Sequence, residues 1–344
     1  GELGNLQNIE ILLKKLENSS GKYADALESA LVRICLRSPN IEIRNSEVRR
    51  ILVQEAPTGE YRKRILRILG YLGGEKAWGD LKRILDGNDP DGRKAVLQTI
   101  GSWPNGDPLK TLFEIVYNEK DEVIRRLAFR SYVLLLSGPS ILSDESKLAE
   151  IKELFKLNFS KNDQLNLIGA LASLANDGAL QFVEELAVKN ERYKLSAEMA
   201  SKQISVNISK RGNFNDNEKV YSAKNALILG EDSFNYDETQ DSIVGWSNPQ
   251  YYIVWPINFS SSGEHELTLN VKKPDGGGGE FEVVLGAGVT TSKVPNSDDF
   301  VDINLGEFSV NDPGTYRIII TGLNLEDKDG ELMNLRSLTL KKKD

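Results

Sequence analysis

The sequence has one cysteine and one histidine among its 344 residues. A lone Cys35 excludes an internal disulfide framework and a thiolate metal cluster. A lone His265 excludes paired-histidine metal sites, and any Ser–His–Asp arrangement would have to use it. No apolar run approaches the roughly 20 residues that a bilayer-spanning helix requires. Aromatic residues make up only 8% of the chain, so any stacking platform for a ligand must come from a short roster of side chains. With the usual catalytic groups scarce, binding is the function class the composition leaves most open. The length suits two domains, each large enough for its own core.

Charge divides the chain unevenly. Residues 1–211 carry a net +3, whereas residues 212–344 carry -11 of the overall -8. The first part intersperses both signs, as solvated helix surface does. The second part repels phosphate backbones and anionic membranes, which argues against nucleic acid as a partner.

Periodicity changes at the same place. Ile65, Leu66, Ile68, Leu69 and Leu72, and later Leu165, Leu167, Ile168, Leu171 and Leu174, recur at helical spacing. Beyond Phe214 the period becomes two: His265, Leu267, Leu269 and Val271 alternate with polar residues, as do Phe281, Val283 and Leu285. Tyr251, Ile253, Trp255, Ile257 and Phe259 form another strand face, with Pro256 expected at a sheet edge or bulge. The polar stretch Ser205–Asn217 reads as a junction, with Gly212 as its protease-sensitive point.

The helical part repeats. Successive units start at Arg62, Arg93, Arg125 and Gln164, and each pairs two apolar helices around a small-residue turn. Arg93 with Ala95 and Ile100-Gly101, and Arg126 with Ala128, carry a resemblance to short HEAT-like repeats over about residues 8–205. That resemblance implies a curved stack of helix pairs serving as a protein-binding surface or scaffold. Trp78 and Trp103 are expected to be packing residues, and Arg62, Lys63, Arg64 and Arg67 to form a solvated helix face.

The β part carries an ordered series of segments: Gly245-Trp246-Ser247-Asn248-Pro249, Tyr252-Ile253-Val254-Trp255, Gly263–Leu267, the run Gly276–Gly279, Leu305-Gly306, Pro313–Tyr316 and Met333-Asn334-Leu335. Over about residues 216–341 this resembles galactose-binding-like jelly rolls related to family 6 and family 35 carbohydrate-binding modules. The fold class that follows is a multidomain α and β chain. An all-α HEAT-like superhelix occupies 1–205, a linker 206–217, and an all-β jelly-roll sandwich 218–344.

The resemblance implies glycan binding at the end of the sandwich, with Trp246 stacking on the sugar and Asn334 and Tyr236 orienting it. Trp255 alternates with core residues and is expected to be buried, as is His265. Lys224 stands where family 6 modules place a calcium-ligating glutamate, which puts the structural calcium of those modules in doubt here; no other cofactor is expected. The acidic loop Glu326–Glu331 lacks EF-hand spacing, because Arg336 occupies the position that would need glutamate.

The resulting expectation is a non-catalytic protein that binds a glycan through the sandwich and a protein through the solenoid. Two other readings stand beside it: an accessory region of a secreted sugar-processing hydrolase, and a purely structural protein without a ligand. Gly1 in place of an initiator methionine, together with the resemblance, implies export to the periplasm or surface of a bacterium.

Overall fold

The structure is a computed structural model that describes residues 8–36, 38, 41–138, 142–157, 159–286, 288–327 and 329–343. Gly1, Pro139 in the third expected repeat turn, and Lys328 in the acidic loop lie outside the described residues. Helices come first and strands second. The chain divides into two compact units, one ending at Gly138 and the other starting at residue 139.

The first unit contains α1 (Ile9–Glu17), α2 (Gly21–Leu36), α3 (Ile41–Arg50), α4 (Gly59–Leu72), α5 (Glu75–Asp86), α6 (Pro90–Thr99), α7 (Leu109–Asn118) and α8 (Glu122–Ser137). Each helix packs mainly on its next or next-but-one neighbour, the pattern of stacked helix pairs. Polar residues between the helices start the helix that follows. Asp89 accepts the Gly92 amide at 2.9 Å, with Pro90 in the first turn of α6, and Asp121 accepts the Val123 and Ile124 amides. These caps satisfy donors that a helix cannot pair internally.

The expected solvated face on α4 is instead a set of ties between helices. Arg64 is buried, and its guanidinium meets Asp25 and Glu28 of α2, each at 2.8 Å. Arg67 also pairs with Glu28, and Arg62 with Asp89. A guanidinium with several donors can bridge two stacked helices while its stem covers apolar surface. Trp78 and Trp103 pack edge to face, with centroids 5.8 Å apart.

The second unit joins four helices to the sandwich: α9 (Asp144–Phe155), α10 (Lys161–Ala172), α11 (Asp177–Lys189) and α12 (Lys194–Ser209). Strands β1 (Gly212–Phe214), β3 (Leu227–Leu229), β6 (Tyr252–Phe259), β8 (Gly279–Leu285), β9 (Gly288–Lys293) and β11 (Gly314–Leu325) form one sheet. Strands β2 (Glu218–Ser222), β4 (Asn235–Asp237), β5 (Ser242–Val244), β7 (Gly263–Lys272), β10 (Val301–Val310) and β12 (Asn334–Lys342) form the other. The alternating residues of β7 and β8 enter the core between them, and His265 is enclosed by Phe214 and Phe259. Burial lowers the His265 pKa and favours the neutral ring.

Pro256 does not mark an edge strand. β6 runs between β11 on one side and the short strands β3 and β1 on the other. β3 pairs with 252–254 and β1 with 257–259, so Pro256 occupies the gap between them, where that side of the ladder needs no bond.

The stretch 206–217, expected as a linker, carries regular structure. Residues 206–209 complete α12, and 212–214 already form β1. The Arg211 guanidinium donates to the Ala175 carbonyl at 2.9 Å and to Asp177 at 2.8 Å, and the buried Asn207 amide donates to the carbonyls of Ala172 and Leu174. Phe214 belongs to the sandwich core. A second seam joins α9 to β11. Glu145 accepts the Thr315 amide at 2.8 Å and its hydroxyl at 3.2 Å, while Arg317 lies 3.9 Å from the buried Asp144.

Candidate functional site at the loop end of the sandwich

Strand register brings three loops to one end of the sandwich. Lys272 at the end of β7 lies opposite Asn334 at the start of β12, and Val271 lies opposite Val301 of β10. Gly279 of β8 lies opposite Leu325 of β11, and Lys293 of β9 opposite Glu280. Loops 273–278, 294–300 and 326–333 therefore emerge together.

Glycine is needed here for two separate reasons. Gly276 and Gly278 have φ of 68° and 114°, which residues with a Cβ rarely adopt. Gly277 approaches the facing loop so closely that a Cβ would lie 2.4 Å from the Glu331 carbonyl oxygen. Backbone bonds then clamp the loops: Gly278 donates to Glu331, Glu326 to Gly278, and Lys273 to Ser297.

Between the loops lies a cavity of about 330 Å³ lined by Asp275, Asp298, Glu326, Asp327, Asn296 and Lys273, with the Gly276-Gly277 backbone. The Lys273 ammonium donates to Glu326 at 2.8 Å and holds its carboxyl below the usual carboxylate range. Asp327 accepts the Asp329 amide at 3.1 Å. Four carboxylates against one ammonium make the cavity rich in acceptors, suited to hydroxyl donors and unfavourable to anions. Among the described residues, no cluster of three or more His, Cys, Asp or Glu side chains is placed to hold a metal ion. Lys224 pairs with Glu238 at 3.1 Å.

The residues expected to hold a sugar are not gathered into one open site. Trp246 is 0% exposed and packs against Phe234, which in turn stacks on Tyr251. Its carbonyl accepts the Leu332 amide at 2.8 Å, so it braces the loop end from beneath. The stacking role expected of Trp246 is corrected accordingly, because an enclosed indole presents no face to a ligand. Asn334 is buried, and its amide donates to Gln240 at 3.4 Å. The Tyr236 hydroxyl donates to Asp241 at 2.5 Å, and that bond raises its pKa. Trp255 is buried as expected, its indole donating to the Ser222 carbonyl at 3.3 Å.

The sequence reading did not single out Asp275, Asn296 and Asp298, which line this cavity. Their signal was the glycine run and the paired acids Asp298-Asp299, each of which reads locally as an ordinary turn. Only the strand register unites them.

A family model described as a domain of unknown function, DUF5077, matches residues 220–344. No curated protein matches the chain. Among solved structures, the chain is similar to a GH26-CBM35 β-(1,4)-mannanase of Podospora anserina, with 18% identity and a TM-score of 0.30. That match covers 38% of this chain and spans only 28% of the mannanase chain. It is also similar to a family 35 carbohydrate binding module from Clostridium thermocellum, with 14% identity, 37% and 98% coverage and a TM-score of 0.29. A CBM35 from Cellvibrio japonicus is similar at 15% identity, with 37% and 94% coverage and a TM-score of 0.28.

Proposed function

We propose that the sandwich is a non-catalytic glycan-binding module whose ligand occupies the loop-end cavity. The observation that carries this reading is the acceptor-rich lining formed by Asp275, Asp298, Asp327 and Asn296 around about 330 Å³. A polyhydroxylated ring offers many donors to such a lining, and a carboxylate accepting a hydroxyl proton makes a charge-assisted bond. The motif order in the sequence supports the same reading. The helices, stacked on neighbours one and two places away, act in this proposal as a HEAT-like scaffold for a protein partner. Export to a bacterial periplasm or cell surface belongs to the proposal and rests on the sequence resemblance.

A glycan array with the full chain, followed by calorimetric titration of the neutral sugars that bind, tests it. Asp275→Ala and Asp298→Ala should each weaken binding by about 10- to 150-fold, the cost of losing a hydrogen bond to a charged group. Their melting temperatures should stay near that of the parent chain. An array without neutral-glycan binders, or titrations unchanged in both variants, would overturn the reading.

A further inference from the structure

The three most exposed large apolar side chains among the described residues lie on α11 and α12, two helices of the second unit that pack on each other. Val188 is 88% exposed at the end of α11, and Leu195 and Met199 are 72% and 64% exposed on α12. Val206 continues the row two turns further along α12. Leu195, Met199, Lys202 and Val206 recur at the i, i+4, i+7 and i+11 spacing that keeps them on one helical face. α10 and α11 cover other parts of α12, whose buried residues are Ala197, Ala200, Ile204 and Asn207. As the last helix before the strands, α12 has no following helix pair to cover this row. Leu195, Met199 and Val206, joined by the aliphatic stem of Lys202, leave an unusual amount of apolar side chain on one helical face, as interaction surfaces do.

We propose that this stripe is a self-association surface, through which two copies of the chain pair by antiparallel α12 helices. The two-fold axis passes between Met199 and Lys202, setting Leu195 against Val206 of the second copy. The charges point to a second copy rather than an unrelated partner. Glu198 and Lys202 are both exposed and lie one turn apart on α12. Antiparallel pairing about that axis brings Glu198 of each copy to Lys202 of the other, so one sequence supplies both halves of two identical bridges. The Lys202 stem covers Met199 across the interface. A contact made by one helical face of each copy gives a weak, concentration-dependent dimer, and it does not depend on glycan binding.

Sedimentation velocity of the full chain over a concentration series tests the pairing, with circular dichroism confirming that every variant is folded. The parent chain should shift from monomer to dimer as concentration rises toward about 0.5 mM. Met199→Glu should weaken association by about tenfold or more. Glu198→Lys and Lys202→Glu should each weaken it by like-charge opposition, and the double variant should recover the parent affinity. A parent chain that stays monomeric throughout would overturn the proposal. So would a double variant no tighter than the singles, since only a self-complementary interface restores both bridges. Crosslinking from position 199 to another protein alone, never to a second copy, would assign the stripe to a different partner and refute it as well.

Discussion

Trp246 separates a ligand platform from a core brace. Because it is fully enclosed against Phe234, Trp246→Ala should cost about 3–5 kcal/mol in stability, the usual range for emptying a large core site. Its indole nitrogen is buried without a partner. Trp246→Phe should therefore cost distinctly less, since it removes an unpaired donor and leaves a smaller void. Denaturant melts of the two variants check the order; equal losses would mean that the volume argument fails. Cys35 supplies a second residue-scale expectation. Burial pushes its thiol up to about 12, so the reactive thiolate is absent near neutral pH. Iodoacetamide should label the denatured chain readily and the native chain hardly at all, as mass spectrometry would show.

At the scale of elements, the loop end depends on backbone shapes that only glycine supplies cheaply. Gly276 and Gly245 both have positive φ, yet their surroundings differ. A Cβ on Gly276 meets nothing within 4 Å, whereas one on Gly245 would lie 2.0 Å from the Ser233 carbonyl oxygen. Gly276→Ala should cost only the left-handed backbone penalty of about 1–2 kcal/mol. Gly245→Ala should cost more, because loop 245–251 must also move away from Ser233. Thermal melts rank the pair, and a reversed ranking would show that the Ser233 contact is not rigid. The helices follow the same local logic: Asp89, Asp121, Ser143, Ser160 and Asn176 each cap the helix that follows.

At the scale of the molecule, the α9–β11 seam decides what can be cut apart. A fragment of residues 212–344 loses the Glu145 bonds to the Thr315 amide and hydroxyl and the bond from the Lys210 ammonium to the Lys224 carbonyl. It should melt lower than a fragment of residues 139–344, and protease should spare Gly212 in the longer one. The seam also gives stability a pH dependence. Desolvation, with Arg317 nearby, holds the Lys147 pKa well below its ordinary 10.5, against the opposing pull of Asp144. The unfolded chain therefore binds the proton more tightly, and stability rises with pH between the lowered folded value and 10.5. Lys147→Met should flatten that rise in urea titrations between about pH 7 and 10. An unchanged slope would assign the pH dependence to other groups.

The change of period near residue 212, the helix pairs, and the burial of His265 and Trp255 were legible in the sequence. Each is written in a window of a few turns or a few strand residues, where side-chain spacing alone selects the face that leaves water. The roles of Trp246, Arg64 and the loop carboxylates were not legible. Trp246 lies in a loop without periodicity, and Arg64 finds its partners 36 and 39 residues away. Asp275, Asp298 and Asp327 meet only because three strand registers bring their loops to one end. The attachment of α9–α12 to the sandwich likewise depends on Glu145 reaching Thr315, 170 residues along the chain. Local pattern determined which segments are helices and strands; packing decided which of their ends meet, because such juxtapositions depend on all the intervening elements at once.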